Sequence, residues 1–203
     1  LLHGTQPWEM IGEEIVVGEY KFTVTSDMAD FIQECASFVN GLAGPTMPEL
    51  EVKLDLPGTP VYGYSDVVID HGTIHIADLK YGMGIVVEAD TPQLGLYGLM
   101  ALLRNKGEGH LFSGDRNEVL VVAHIMQPRR GKAFRKHDWT RGDLIDLLVR
   151  VRRVVDEVAM RKHRYKAGEH CRFCPAVPVC PMLAKVAEDA AMAEVIGDPD
   201  LQM

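Results

Sequence analysis

The sequence has no apolar run long enough to cross a membrane. A transmembrane helix needs about 18 consecutive apolar residues, and every hydrophobic stretch of this 203-residue chain is interrupted earlier. We also find no signal-peptide pattern, no internal repeat and no low-complexity linker. With 47% hydrophobic and 25% charged residues, the composition is typical of one soluble globular domain that buries a full core.

The sequence also has no excess of positive charge. The formal net charge of −8 and the pI near 5.5 argue against a protein that coats DNA nonspecifically. They do not exclude a nuclease, because carboxylates at a metal site lower the charge and binding depends on local charge. Two basic runs are candidates for tracking phosphates, and they comprise Arg129, Arg130, Lys132, Arg135 and Lys136, then Arg150, Arg152, Arg153, Arg161, Lys162, Arg164 and Lys166.

The first basic run is the better candidate for contact with a DNA strand. We expect residues 128–136 to form a loop in which Phe134 stands among the charges. The second run also fits the solvated face of an amphipathic helix.

Cysteine is scarce, and three of the four cysteines fall within ten residues. Cys171, Cys174 and Cys180 follow His170 in the order H-C-x2-C-x5-C. In an intracellular protein such a cluster favours a bound metal over disulfides, and thiolates suit either zinc or an iron–sulfur cluster.

The fourth ligand of this cluster is open between Cys35, His170 and a cysteine preceding Leu1. The helical pattern around Cys35 favours another interpretation, in which Cys35 is a buried apolar residue beside Phe31 and Phe38.

Residues 63–97 carry most of the chemical information. Residues 62–69 and 73–79 are rich in β-branched and aromatic side chains, and the turn-forming Asp70, His71 and Gly72 separate them. This pattern predicts a β-hairpin. Asp66 would lie in its first strand and Asp78 near the end of the second, with Lys80 on the same face as Asp78; paired strands would bring the three together.

Two neighbouring carboxylates and a lysine suit a metal-dependent nuclease. The carboxylates repel each other unless a cation lies between them, and Mg²⁺ takes oxygen ligands from carboxylates, water and phosphate. Lys80 would orient an attacking water and stabilise charge on the phosphorane. The alternative is that Asp66 flanks a turn, and that Asp78 and Lys80 are a solvated pair at a sheet edge.

A helix is predicted over residues 92–104, with Asp90 or Thr91 as its cap and Pro92 in its first turn. Gln93, close to the strand ends, would hold water or phosphate. Tyr97 lies one turn later on the same face, and a packed aromatic ring with its hydroxyl at the surface is the equal alternative.

The remaining pattern predicts an α/β fold with a mixed sheet flanked by helices. An extended segment at 14–25 precedes a helix at 26–40 and a Pro/Gly-rich turn at 41–48, and a long helix covers 140–163. Strands are expected at 50–56, 62–69, 73–79 and 118–125, with a further extended stretch at 85–87. Glu51 is either an additional carboxylate of the site or a solvated edge residue.

These motifs resemble the RecB-like branch of the PD-(D/E)xK nuclease superfamily. Its order of G-x-x-D, a strand ending in D-L-K, and Q-L-x-x-Y matches Gly63 with Asp66, then 78–80, then Gln93-Leu94 with Tyr97. More narrowly, DLKYGMG, PQLGLYGLMAL, IMQPR and HCRFC resemble an uncharacterised phage and prophage family. The resemblance covers residues 8–183.

The resemblance implies a restriction-endonuclease-like nuclease core over residues 1–168, with the cysteine cluster and tail at 169–203 packed on the same domain. It implies Mg²⁺ or Mn²⁺ held by Asp66, Asp78 and the carbonyl of Leu79, with Lys80 and Gln93 completing the catalytic site. The expected substrate-binding residues are Tyr97, Arg129, Arg130 and Lys132. Relatives often hold a 4Fe-4S cluster with three C-terminal cysteines and a fourth from the N-terminal region, and Zn²⁺ is the alternative here.

One departure from this branch concerns an earlier helix. Relatives carry a Gly-Thr-x-x-His pattern in that helix, and His3-Gly4-Thr5 does not match it. Their extra cysteine precedes this pattern, which disfavours Cys35 as the fourth ligand of the cluster. Because the chain opens at Leu1 without methionine, we expect an N-terminal piece, and with it a catalytic histidine, to lie outside this sequence.

The predicted function is a metal-dependent deoxyribonuclease, a phage exonuclease acting in replication or recombination in the cytoplasm of a bacterial host. Its expected partners are DNA and other phage recombination or replication proteins. The alternatives are a noncatalytic DNA-binding or assembly module that retains the nuclease fold, and a zinc-stabilised interaction protein.

Overall fold

The computed structural model describes residues 6–57, 59–129, 132–161 and 165–196. The chain divides into two compact units, residues 1–155 and residues 156–203. The first unit contains a five-stranded mixed sheet with helices on both faces, so the predicted α/β class with a mixed sheet flanked by helices is confirmed.

The elements of the first unit follow one another along the chain as β1 Glu14–Val17, β2 Tyr20–Thr23, α1 Ser26–Gly41, β3 Thr46–Leu54, β4 Val61–Asp70, β5 Ile74–Leu79, α2 Pro92–Phe112, β6 Val119–Met126, β7 Phe134–Thr140 and α3 Arg141–Ala159. Helix α3 runs past the boundary between the units. The second unit contains short 3₁₀ turns at Glu169–Phe173 and Val177–Val179, followed by α4 Pro181–Ile196. None of the described helices is long and apolar enough to span a membrane.

The main sheet has the strand order β3-β4-β5-β6-β7, and β1 pairs with β2 in a separate hairpin. Strands β5 and β6 are parallel and joined through α2, whereas the other neighbours are antiparallel. This arrangement places the predicted hairpin of β4 and β5 in the interior of the sheet, with the end of β5 beside the end of β6.

Threonine side chains fix where two of the helices begin. Thr25 accepts a hydrogen bond from Met28 N at the start of α1, and Thr91 accepts one from Leu94 N at the start of α2. Each threonine satisfies a backbone N–H that has no partner within its helix. Gly107, at a φ of 76°, interrupts the helical conformation of α2.

The two faces of the sheet bury separate apolar clusters. On one face, Val68, Ile76 and Val121 pack with Leu99 of α2 and Leu144 of α3. On the other face, side chains of the sheet pack against α1, and the cluster comprises Cys35, Val39, Ile69, Ala77 and Met126.

Alternate side chains of a strand face opposite sides of the sheet, and this alternation is reversed at Glu49 of β3 and at Asp66 of β4. The pairing joins Pro48 to Val67 and Leu50 to Ser65, so Glu49 and Asp66 are not paired. Glu49 has a φ of 44°, a left-handed conformation that costs a residue with a side chain roughly 1–2 kcal/mol. Asp66 therefore lies at an irregularity within a long strand.

Close contacts at two glycines hold α2 near the sheet. A Cβ at Gly98 would overlap Val121 Cγ1, and a Cβ at Gly95 would lie 2.7 Å from Trp139 Cζ2. Since real Cβ atoms do not approach that closely, larger residues would push the first turns of α2 away from β6 and β7.

Several predicted boundaries were wrong. Strand β3 begins at Thr46, inside the expected turn, and α2 continues to Phe112, whereas α3 ends at Ala159. Residues 85–87 form no strand. Strand β7 occupies part of the expected loop at 128–136, and neither β7 nor α4 was predicted.

Candidate functional site

The acids of the hairpin meet near the end of β5. The antiparallel register pairs Val67 with Ala77, so one further step along both strands places Asp66 opposite Asp78. The exposed Asp66 accepts a hydrogen bond at Oδ2 from Leu79 N, at 2.8 Å. The G-x-x-D acid is thus fixed against the peptide that separates Asp78 from Lys80.

Asp78 is a buried carboxylate with an adjacent ammonium group. Only 4% of Asp78 is exposed, and Lys80 Nζ lies 2.6 Å from Asp78 Oδ2 in an ion pair without hydrogen-bonding alignment. Burial raises the pKa of Asp78, Lys80 opposes this rise, and the charge of Asp66 adds to it. The backbone holds Lys80 in place, since its N–H donates to Met126 O at 2.8 Å.

Gln93 and Tyr97 form a pair on the first turns of α2. Gln93 Nε2 donates to the Tyr97 hydroxyl at 3.0 Å, and Gln93 is exposed. The half-buried Tyr97 ring covers Gly63, where a Cβ would lie 2.6 Å from Tyr97 Cε1. The contact between Gly63 and Tyr97 joins the G-x-x-D motif to the Q-L-x-x-Y motif. No described hydrogen bond joins Gln93 to Asp66 or Asp78.

The donor set suits a hard divalent ion better than a softer one. No described contact uses Oδ1 of Asp66 or Oδ1 of Asp78, and the carbonyl of Leu79 belongs to the residue directly after Asp78. Among the residues the structure describes, no three His, Cys, Asp or Glu side chains form a metal-binding group. Two carboxylates, a carbonyl, water and substrate phosphate are nevertheless a ligand set that Mg²⁺ accepts.

Asp66 also faces a cleft between α1 and the sheet. This cleft of about 770 Å³ is lined on one side by Ile32, Cys35 and Ala36 of α1, and on the other by Glu49, Asp66 and Leu79. Glu49 was not predicted from the sequence, which pointed instead to Glu51. Glu51 is exposed on β3, an edge strand, as the solvated interpretation predicted.

The segment after Lys80 is held by Gln127, a residue to which the sequence assigned no role. Gln127 is 2% exposed, and its Oε1 accepts from Val87 N at 3.2 Å. Its Nε2 donates to Gly82 O at 3.3 Å and to Ile85 O at 3.0 Å. One buried amide therefore fixes the connection between β5 and α2. The one sequence signal that could have identified Gln127 is its position as a polar residue directly after the apolar strand β6.

Arg135 supports this connection rather than presenting its charge to solvent. It is buried, donates to Gln127 Oε1 at 3.2 Å, and pairs with Glu88 at 3.6 Å. Phe134 stacks on Phe38 of α1, with ring centroids 4.7 Å apart. The prediction of a DNA-contacting loop over 128–136 was therefore wrong for Phe134 and Arg135.

The other members of the first basic run lie closer to solvent. Arg129 and Lys132 are exposed, and the Arg129 guanidinium lies 4.9 Å from the centroid of the Tyr81 ring. Arg130 lies outside the described residues. Lys136 pairs with Asp138 at 3.2 Å, so Arg129 and Lys132 are the described members that remain candidates for contact with a phosphate.

Three members of the second basic run, Arg150, Arg152 and Arg153, lie on α3. Arg150 is exposed, and Arg152 pairs with Glu108 of α2 at 3.3 Å. Lys162 and Arg164 lie outside the described residues.

The comparison with known proteins places this chain in a family. A family model with the description "Protein of unknown function (DUF2800)" matches residues 10–202. The chain belongs to the DUF2800 family. No curated protein matches it. A solved structure titled "Crystal structure of SSO0001" is 13% identical, covers 75% of this chain and 68% of that chain, and has a TM-score of 0.39; so distant a likeness carries no argument about function.

The cysteine segment of this DUF2800 protein lies in the second unit. Cys171, Cys174 and Cys180 are half-buried free thiols, and Cys171 Sγ accepts from Gly168 N at 3.4 Å. Cys171 lies within the first 3₁₀ turn, Cys174 directly follows that turn, and Cys180 lies between the second turn and α4. A metal held by these thiols stays a prediction.

Cys35 has a different environment in the DUF2800 protein. It is buried in the α1 face of the core with Val39, Ile69 and Met126, and burial raises the pKa of its thiol to about 11, with a smaller contribution from Glu34. The interpretation of Cys35 as a buried apolar residue is confirmed.

Proposed function

We propose that this DUF2800 protein is a Mg²⁺- or Mn²⁺-dependent deoxyribonuclease that hydrolyses DNA phosphodiesters, as a phage exonuclease. The observation that carries the proposal is the hydrogen bond from Leu79 N to Asp66 Oδ2, together with the ion pair of Asp78 and Lys80. These contacts gather an acid, a carbonyl, a second acid and a lysine from two adjacent strands. The proposal includes the finer expectations of DNA and phage recombination or replication proteins as partners, and of the bacterial host cytoplasm as location.

Each residue has a distinct part in the proposed reaction. Asp66, Asp78 and the carbonyl of Leu79 would hold the divalent ion, which when bound supplies a Lewis acid and a more acidic water. Lys80 brings a fixed positive charge to the scissile phosphate and orients the attacking water. Gln93 and Tyr97 present an amide and a hydroxyl above the strands for positioning a phosphate or a water.

The surroundings of the site support a polyanionic substrate. The exposed Arg129 and Lys132 follow β6, the strand whose Met126 anchors the Lys80 backbone. Hydrogen bonds of Gln127 to Gly82, Ile85 and Val87 hold the segment between Lys80 and α2 in place. Such preorganisation is what catalysis by positioning and electrostatics requires.

The test is cleavage of end-labelled DNA by the full chain with Mg²⁺ or Mn²⁺. Asp78→Asn and Lys80→Ala are expected to lower the cleavage rate at least about 100-fold, since each removes a charged group from the reacting centre. The matched controls are Asp55→Asn and Lys53→Ala, because Lys53 and Asp55 form an exposed ion pair of the same 2.6 Å length at the end of β3. Cleavage by both site variants at the wild-type rate would sink the proposal.

A noncatalytic DNA-binding or assembly module is the second candidate. The observation in its favour is that Gln93 bonds Tyr97 and, among the described contacts, neither carboxylate. Calorimetry with Mn²⁺ separates the two functions. Absence of a Mn²⁺ site in the wild-type chain, or a site unaffected by Asp66→Ala, would favour the module.

A further inference from the structure

Three histidines form a connected chain where the turn after β4 meets β5 and β6. His71 Nε2 lies 3.1 Å from His75 Nε2, and His75 Nδ1 lies 3.0 Å from His124 Nε2. The His75 and His124 rings are nearly parallel, at 7°, with centroids 5.3 Å apart. A face-to-face stack would hold its atoms at van der Waals contact or beyond, so the 3.0 Å separation identifies an in-plane hydrogen bond between the rings.

His124, at the buried end of this row of histidines, fixes the orientation of His75. His124 is 5% exposed, and its ring packs against Phe38 in a T-shaped pair with centroids 5.3 Å apart. When His124 Nε2 accepts the hydrogen bond from His75, the proton of His75 lies on Nδ1 and the lone pair of His75 Nε2 faces His71.

The exposed end is held by α2. Asp70 Oδ1 accepts from Gly72 N at 3.1 Å, while Asp70 Oδ2 accepts from Asn105 Nδ2 at 3.0 Å. Lys106 Nζ donates to the carbonyl of Gly72. The turn that carries His71 is thus tied to a helix, so the two Nε2 atoms face each other across a fixed gap.

We infer that His71 and His75 chelate a borderline divalent transition ion, of which Zn²⁺ is the reference case, through their Nε2 atoms. Zinc–nitrogen bonds of about 2.0–2.1 Å in tetrahedral geometry place two ligand atoms about 3.3 Å apart, close to the observed 3.1 Å. Metal-bound histidines characteristically use the second ring nitrogen to bond an outer partner, and His124 occupies that position for His75.

This site differs in chemistry from the carboxylate site. Imidazole nitrogens prefer zinc, copper or nickel, whereas carboxylate and carbonyl oxygens prefer Mg²⁺ and Mn²⁺. Among the described residues no third His, Cys, Asp or Glu completes a group around the ion. Two protein ligands leave the remaining coordination positions to water or to a donor atom of another molecule.

The test uses the full chain with ¹⁵N-labelled histidine, freed of metal and titrated with Zn²⁺ alone. The Nε2 resonances of His71 and His75 are expected to move to the range of metal-bound imidazole, a readout that zinc held by the thiols does not change. By equilibrium dialysis, His71→Ala is expected to bind one equivalent of zinc less than the wild type. His110→Ala, which removes a histidine of α2 that does not belong to the row of His71, His75 and His124, is expected to bind as much zinc as the wild type.

Two outcomes would overturn the inference. The first is that both Nε2 signals stay unchanged at saturating Zn²⁺, with a proton retained between the rings. The second is that His71→Ala and the wild type bind equal zinc. Since His71 is exposed in a turn, the variant is expected to fold, and circular dichroism checks this. Loss of DNA cleavage in the Asp78 or Lys80 variants is a separate result that does not affect this test.

Discussion

The carboxylate of Asp66 accepts a hydrogen bond from the backbone N–H of Leu79, with 2.8 Å between Oδ2 and N. We expect Asp66→Asn to keep the native stability because an acceptor oxygen remains. Asp66→Ala is expected to lower the free energy of unfolding by about 1 kcal/mol, since the Leu79 N–H loses its partner. Urea denaturation of the two variants measures the difference, and equal stabilities would contradict this function for the carboxylate.

The buried amide of Gln127 should control the mobility of the segment between β5 and α2. We expect Gln127→Ala to speed hydrogen exchange at the Val87 amide, because that N–H loses its acceptor. Any DNA cleavage that depends on Lys80 should fall as well. Gln33→Ala, a half-buried glutamine on α1, is the control. Unchanged exchange at Val87 in the Gln127 variant would show that the connection is held by other contacts.

The close contact between Gly63 and Tyr97 predicts a steric penalty. A Cβ at position 63 would lie 2.6 Å from the Tyr97 ring, so Gly63→Ala should displace the ring and lower the free energy of unfolding by about 1–3 kcal/mol. In a Tyr97→Ala background the same change should cost less. Gly109→Ala serves as control because a Cβ there meets nothing within 4 Å. An equal cost of Gly63→Ala in both backgrounds would rule out the ring as its cause.

Metal analysis of anaerobically purified protein tests the cysteine segment. Iron with sulfide and a brown colour are expected for a 4Fe-4S cluster, and stoichiometric zinc in a colourless sample for the alternative. Cys174→Ser should release either metal, whereas Cys35→Ser should retain it because Cys35 lies in the core with a pKa near 11. Protein that carries neither metal would contradict the prediction.

Acid should weaken the start of α3 through Asp143. Its carboxylate accepts from the Thr140 hydroxyl at 2.6 Å and from Thr140 N at 3.0 Å. These hydrogen bonds hold the pKa of Asp143 below its usual range. Because the folded pKa lies below the unfolded one, the stabilisation is complete above the unfolded pKa and is lost as pH falls through the folded value.

Comparison of Asp143→Asn with the wild type isolates this effect. The wild type should be the more stable protein at neutral pH, and the difference in the free energy of unfolding should shrink once the pH falls below about 4. Thermal unfolding over that range provides the measurement. A difference that does not change with pH would mean that the charge of Asp143 does not contribute.

The sequence predicted the hairpin and two of the helix starts because these depend on local signals. Alternation of apolar residues and a turn at Asp70 define β4 and β5, and α2 begins at Pro92, behind the cap of Thr91. Strand β7 was missed because FRKHDWT is mostly polar. As an edge strand it pairs with β6 alone, and only Arg135 among its residues is buried.

The candidate site could be predicted only in part, for a related reason. The spacing of Asp66, Asp78 and Lys80 follows from strand geometry, so their proximity was predictable. The roles of Gln127 and Arg135 depend on where the segment after Lys80 returns to the sheet. That return depends on tertiary contacts such as the hydrogen bond between Val87 and Gln127, which lie 40 residues apart in the sequence. Neither local propensity nor periodicity indicates such a contact. Residues 85–87 looked extended because they are apolar, but hydrogen bonds to the side chain of Gln127, directly after β6, fix them as an irregular segment.

The change of sides at Glu49 and Asp66 has a consequence for how substitutions act at a distance. On one side of the change, Val52 and Leu54 of β3 belong to the core beneath α2, and on the other, Ile69 of β4 belongs to the core beneath α1. Asp66 thus lies where β4 changes which of its alternate side chains face each core, since Val61 and Val68 face α2 whereas Val67 and Ile69 face α1. Repacking of either core is expected to shift the strand at Asp66, so the reach of the Asp66 carboxylate towards Leu79 depends on residues that never touch it.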